Sequence, residues 1–382
     1  MKDNIHIKVN HEVLVWARVC LALTRAQASE RSAISARRLT QLEEGEKDPT
    51  IDDLKVLSKT YKRTIATLLL SKPPVEKPFP RDRRTVDSQH LTVFHEKTIM
   101  AVRKARALTQ SYIELRQEMG VVVPKLTFSA SIHENPKEQA TRLRKLLNLD
   151  EVRDLKNQNQ ILEAYIEKVE TLGIAIFQLC LTHDRLRGFS ITDEMIPVIG
   201  IKRGSESPTG KIFTLFHELG HIILNEGGLC DLSENTNIEI EKWCNAFSAE
   251  VLIPTPELLQ MQHVVEHRQS GEQTWARMDL IALGIHFHVG PLAILRSLLE
   301  NNLTTPDFYT KKHEAWNKPS FGRAKNPEGR NIAKETIKEK GRTFISLAFS
   351  AYDQNRIDLK DLSDFLGVRF SYIPKTRQLV NA

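Results

Sequence analysis

Five consecutive residues, His217-Glu218-Leu219-Gly220-His221, constrain this chain more than any other stretch. They lie in an apolar run of helical spacing that includes Ile212, Phe213, Leu215, Phe216, Ile222 and Ile223. Residues four apart on a helix share a face, so the two imidazoles can converge on one tetrahedral ion at about 2.0–2.1 Å. Glu218 then projects beside the ion, placed to take a proton from an activated water and return it to a leaving amine. A catalytic zinc needs a third protein ligand and keeps its fourth position open. The next predicted helix offers Glu241, 20 residues after His221, with Glu239 and Glu250 as rivals. Asn245, one turn beyond Glu241, is placed to hydrogen-bond a liganding imidazole. Gly220 costs helix stability, which points to close approach of another backbone.

The competing reading is a chance pentapeptide on a core helix, its histidines satisfied by hydrogen bonds. The β-branched run before it and the carboxylate-bearing helix after it weigh against that, because a strand beside the helix can hold an extended peptide. His286 and His288 flank Phe287 and could line the same cleft, although surface or core placement is the plainer expectation. No residue stands out to stabilise an oxyanion.

A chain of 382 residues, 41% hydrophobic and 27% charged, supplies more than one core and is not disordered by composition. Its polar start and the lack of 18 consecutive apolar residues predict a soluble, cytoplasmic protein with no membrane partner. Four scattered cysteines without a Cys-x-x-Cys pair indicate neither a disulfide framework nor a thiolate metal site. The net charge of +6 is compatible with nucleic acid but does not establish it.

No internal repeat is visible. Pro73, Pro74, Pro78 and Pro80 alternate with charges between Ser71 and Arg84, which suits an extended linker. The spacing predicts short helices before it. After it come helices over 90–120, 135–147 and 158–170, strands near 174–177, 189–191 and 197–201, and helices over 211–223 and 238–252. A polar, basic loop is expected over 309–330, and a helical unit over 331–367.

Thr24 to Asp48 reads as helix, turn, helix, with Ser35 as N-cap of the second helix and Leu39 and Leu42 packed inward. In a major groove, Ser35, Arg37, Arg38, Thr40 and Gln41 would face base edges and phosphates of double-stranded DNA. Glu43, Glu44, Glu46 and Asp48 follow at once, so the basic footprint is local and affinity would depend on homodimerisation. A helical interaction domain with a solvated polar face is the alternative.

With both constellations in hand, the chain resembles the ImmA/IrrE-like zinc metallopeptidases that carry an N-terminal Xre-type helix-turn-helix. The matching stretches are Ser35 to Thr50 with Glu43, Gly45 and Pro49; Asp82 to Thr85; Phe213 to His221; Glu241 to Pro254; and Ile281 to Leu298. The resemblance implies an α+β, mostly helical fold. Residues 1–71 would form an all-α helix-turn-helix domain and 72–88 a linker. Residues 89–262 would form a zincin-like peptidase domain with a small sheet, and 263–382 a helical region. It further implies zinc on His217, His221 and Glu241 in a gluzincin-like set, catalysis by Glu218, and cleavage of a partner transcriptional repressor. Related two-domain proteins look like antitoxins or autoregulators, so a DNA-binding regulator with a structural or sensory metal site is the second expectation. Two departures stand out. Trp243-Cys244 replaces two small or polar residues and could narrow the site, and the turn before Ser35 lacks its usual glycine.

Overall fold

The structure is a computed structural model describing residues 5–76, 96–122, 125–181, 187–192, 194–204, 207–224, 234–316 and 331–381. These fall into two compact units that divide between Met100 and Ala101, inside one long helix.

The first unit packs short helices: α1 (His11–Val19), α2 (Arg25–Ser32), α3 (Ala36–Glu43), α4 (Ile51–Tyr61) and α5 (Ile65–Leu68). Leu14, Leu39, Leu42, Leu54, Leu57 and Tyr61 are its buried centre. Each such side chain contributes roughly 1.5–3 kcal/mol by leaving water. Thr24 starts α2 with a capping box, and Ser35 starts α3 by accepting from the Arg38 amide. Between them Ala33 takes a left-handed conformation, φ 55°. This is the position where the sequence lacks the usual glycine, and the turn forms nonetheless. Glu43, one of the acids that follow the basic stretch, is buried between Arg18 and Arg25 at 2.7 and 2.8 Å.

The second unit contains α6 (Glu96–Glu118) from Ala101 onward, α7 (Pro136–Leu147) and α8 (Gln158–Glu170). Asn135 and Asn157 cap α7 and α8, so both begin where the asparagines permit. Three strands follow: β1 (Ala175–Leu179), β2 (Gly188–Ile191) and β3 (Val198–Lys202), in the order β1-β3-β2. β1 runs parallel to β3, and β2 antiparallel to it. All positions of β1 and β3 are buried, which explains their unbroken apolar runs. Gly200 is required, because a Cβ there would lie 2.3 Å from the Phe189 ring of the neighbouring strand.

Ile176, Ile199 and Ile201 share one core with α9 (Pro208–Ile223) and α10 (Glu234–Leu252). The same core takes in α11 (Thr255–Gln260), α12 (Gln262–Ser270), α13 (Arg277–His286) and α14 (Pro291–Glu300) through Leu258, Val264, Leu280 and Leu295. The expected division after residue 262 therefore has no counterpart in the packing.

The loop expected from Tyr309 is instead helix α15 (Pro306–Trp316) as far as Trp316. Pro306 suits a first helical turn, and Phe308, Tyr309 and Trp316 pack on the core, overriding the polar composition. Helices α16 (Ile332–Lys340), α17 (Arg342–Asp353) and α18 (Leu359–Leu366) occupy the predicted 331–367 unit, which continues into α19 (Ile373–Val380). Residues 77–95, including most of the predicted linker, the start of the predicted 90–120 helix and Asp82 to Thr85, lie outside the described residues, as do 317–330. Among the described residues no single helix is long and apolar enough to cross a membrane. The pair α13 and α14 passes only jointly, is bent by 96°, and buries its leucines in the core.

Candidate metal centre

Helix α9 starts sharply because Ser207 caps it and Pro208 occupies its first turn. Among the polar side chains it then buries are His217, Glu218 and His221, each 3% exposed. Unsolvated groups of this kind persist only where something satisfies them. Helix α10 reaches them through Gly220, where an added Cβ would sit 3.0 Å from Cys244 Sγ and 3.3 Å from Cys244 Cα. The close approach inferred for Gly220 is thus to α10. It sets Glu241, one turn before Cys244, opposite the histidine face.

There Glu241 Oε2 lies 3.2 Å from His217 Nε2, Glu241 Oε1 lies 3.2 Å from His221 Nε2, and the two Nε2 atoms are 3.1 Å apart. His217 Nδ1 meets Asn245 Oδ1 at 3.1 Å. A neutral imidazole that donates through Nδ1 keeps its Nε2 lone pair facing Glu241. Of the two rival acids, Glu239 is exposed, and Glu250 accepts from the Thr255 amide and hydroxyl at the start of α11.

The donor set fits a divalent ion. Ligands at about 2.1 Å around a tetrahedral ion stand about 3.4 Å apart, close to the three separations found. Glu241 Oε1 is buried without an aligned hydrogen bond, an orphan that a cation would satisfy. Protonation agrees as well. Burial pulls His221 below its ordinary pKa. For Glu241 burial alone would raise the pKa, but the facing imidazoles of His217 and His221 outweigh it and hold the carboxyl far below the usual range. Neutral imidazole beside carboxylate is the state a metal requires.

The structure shows a neighbour of Glu218 that sequence spacing could not. Gly188 on β2 faces α9, where a Cβ would meet Thr214 Cγ2 at 2.6 Å and Glu218 Cγ at 3.1 Å. The one available signal was a glycine at the head of a β-branched run, which often marks close backbone approach. Among the described residues β2 pairs on one side only. The Lys202 amide donates to the Arg187 carbonyl, so in antiparallel alternation the backbone groups of Gly188 and Ser190 point away from β3. The bare edge and the acid Glu218 therefore meet at Gly188.

Other residues singled out in the sequence lie elsewhere. His286 bonds Glu257 at 2.7 Å within a network that includes Arg153, and His288 stands at φ 56° with its pKa lowered by burial. Trp243 donates to the Glu134 carbonyl at 2.8 Å and stacks on Phe247, while Cys244 packs on Gly220. Both residues are spent on packing between helices. On α3, Ser35 and Arg37 are exposed, and Thr40 and Gln41 are half-buried. Arg38 is held by Asp53 at 2.9 Å and by the Asp48 carbonyl, so the structure gives it an internal partner where a base contact was expected.

A mostly helical α+β unit with a buried two-histidine, one-glutamate cluster is the class these observations define. Residues 169–289 match the model of the IrrE N-terminal-like domain, a peptidase family, which supports a peptidase domain of the ImmA/IrrE kind over about a third of the chain. The match spans β1 through the end of α13 and so contains every member of the cluster. No curated protein and no solved structure matches the chain.

Proposed function

We propose that the second unit is a regulatory zinc-dependent endopeptidase acting on one or a few protein partners, a transcriptional repressor foremost. The observation that carries this reading is the convergence of His217, His221 and Glu241 beside the buried acid Glu218. Zinc held by those three side chains would supply Lewis acidity and an activated water. The remaining work falls to the chain. Asn245 holds the His217 tautomer, and Glu241 keeps its charge at neutral pH and so keeps the site ready for a cation. The edge of β2 offers the amide and carbonyl of Gly188 and Ser190 to an extended peptide. Glu218, next to that edge, accepts the proton of the attacking water and delivers it to the departing amine.

The test is cleavage of candidate repressors by wild type and Glu218→Gln at equal zinc content. A loss of at least about a hundredfold is expected, and unchanged cleavage by the variant rejects the mechanism. Zinc bound one per chain, and lost in both His217→Ala and Glu241→Ala, identifies the ligands.

The first unit supports a second, compatible reading as a DNA-binding regulator or antitoxin module. Arg37 stands exposed on the opening turn of α3, and Ser35 caps that helix. Arg37→Ala should weaken duplex binding and flatten its salt dependence, whereas Arg38→Ala should act mainly on stability, through Asp53. Equal affinity of wild type and Arg37→Ala across salt concentrations excludes the groove contact.

A further inference from the structure

The α2–α3 corner has a counterpart far along the chain that no sequence repeat announces. Helix α18, like α2, is eight residues long and opens with a capping box, here on Asp358. Ser29 donates to the Ile34 carbonyl at 2.7 Å, and Ser363, at the same place in α18, donates to the Val368 carbonyl at 2.6 Å. A left-handed residue follows each helix, Ala33 at φ 55° and Gly367 at φ 64°. The N-cap comes two residues later, Ser35 in one corner and Arg369 in the other. The buried positions also correspond: Leu39 and Leu42 fall four and seven residues after the first cap, Ile373 and Thr376 four and seven after the second.

A third corner, α4 to α5, repeats the latch with Ser58 and Arg63 and the left-handed Lys62, but α5 is only four residues long. The turn alone is therefore a device of the fold. The outward face is what sets α18–α19 apart. Phe370–Tyr372 form a 3-10 turn that leads straight into α19, giving an element long enough to lie in a groove. Ile373, Thr376 and Val380 turn inward, while Arg369, Ser371, Lys375 and Gln378 are exposed and Phe370 is 54% exposed. From Val368 to Asn381 there is no acidic residue. Arg377 is occupied by Asp353, and the nearby acids Asp361 and Asp364 stay on α18.

We propose that the α18–α19 corner docks on duplex DNA, with Arg369 and Lys375 on backbone phosphates and Phe370 and Ser371 at the groove end of α19. Positive charge without acids on this face matches a phosphate backbone, and an α-helix of about 10–12 Å diameter fits the major groove. Phe370 gives that end an apolar contact of the kind made with thymine methyls. The contact stands independently of the metal centre and of α3.

The experiment uses the full chain and a labelled mixed-sequence duplex about three helical turns long. Arg369→Ala/Lys375→Ala is compared with Lys311→Ala/Lys338→Ala, which removes equal charge from exposed positions on other helices. The first pair should weaken binding about tenfold or more at low salt and reduce the slope of log affinity against log salt by about 1.8, two phosphates at about 0.9 each. The control pair should leave both nearly unchanged, and all proteins should melt alike because the four side chains are exposed. Wild-type affinity in the first pair, an equal loss in the control, or no duplex binding by wild type at low salt each overturns the proposal. Arg37→Ala, measured in parallel, reports on α3 separately.

Discussion

A histidine can serve as a metal ligand only in the tautomer that leaves the right nitrogen unprotonated, and for His217 that choice rests on Asn245. Its Oδ1 accepts from Nδ1, so Nε2 faces Glu241. Asn245→Ala should therefore weaken zinc binding about ten- to a hundredfold while leaving the fold intact, measured by competition with a chelator. Affinity equal to wild type would show that the contact does not hold the ring. Gly188 acts on the other side of the site. Gly188→Ala puts a methyl against Thr214 and Glu218, so it should lower kcat with zinc content unchanged. If kcat is unchanged and only KM rises, the residue serves the substrate edge alone. That His217 and His221 share a face, and that Asn245 lies one turn beyond Glu241, was legible in the sequence because helical spacing fixes it, whereas the choice of Glu241 over Glu239 and Glu250 needed the packing of α10 on α9. Gly188 was not legible, because its contact crosses from sheet to helix and no periodicity encodes that.

At the scale of elements, two glycine questions have opposite answers. Gly220 is small because α10 leaves no room, and Gly220→Val would drive a branched side chain into Cys244 and its backbone. The cost should be about 1–3 kcal/mol in denaturant unfolding, with zinc affinity falling as Glu241 is pushed away. Ala33 sits where glycine would be easier. A left-handed alanine costs roughly 1–2 kcal/mol, and the greater freedom of an unfolded glycine cancels about half, so Ala33→Gly should stabilise the first unit by about 0.5–1 kcal/mol. A destabilised variant would mean that the methyl is used in packing. The starts of α7 and α8 were readable because asparagine caps are local signals. Helix α15 was missed because its composition is polar and its stabilisation comes from aromatic packing onto a distant core. The shared corner of α2–α3 and α18–α19 was equally hidden, since different residues, Ala33 and Gly367, take the same left-handed turn.

For the whole molecule, acid and alkali act through different, partly buried carboxyls. Glu241 is ionised in the folded state with its pKa held down, so its contribution to stability is present above the unfolded carboxylate pKa and is lost as pH falls through the folded one. Glu170, at the end of α8, is the reverse case. Burial raises its pKa to about 8, opposed by a hydrogen bond from the Thr343 hydroxyl at the head of α17 and reinforced by Glu167. A carboxyl that is neutral when folded and charged when unfolded gives stability fully present below the unfolded value of about 4.3 and lost as pH rises through about 8. Glu241 is saturated across that window, but His221 and His288, whose pKa values burial lowers, act there with the opposite sign, so the Glu170 contribution, a few kcal/mol at most, is read as the difference between wild type and a variant without the charge. Glu170→Gln preserves the neutral shape and the acceptor for Thr343. The stability advantage of the variant over wild type in urea titrations should therefore grow between about pH 5 and pH 8 and be largest at the alkaline end. Parallel profiles for the two proteins would mean that Glu170 is already charged at neutral pH in the folded chain.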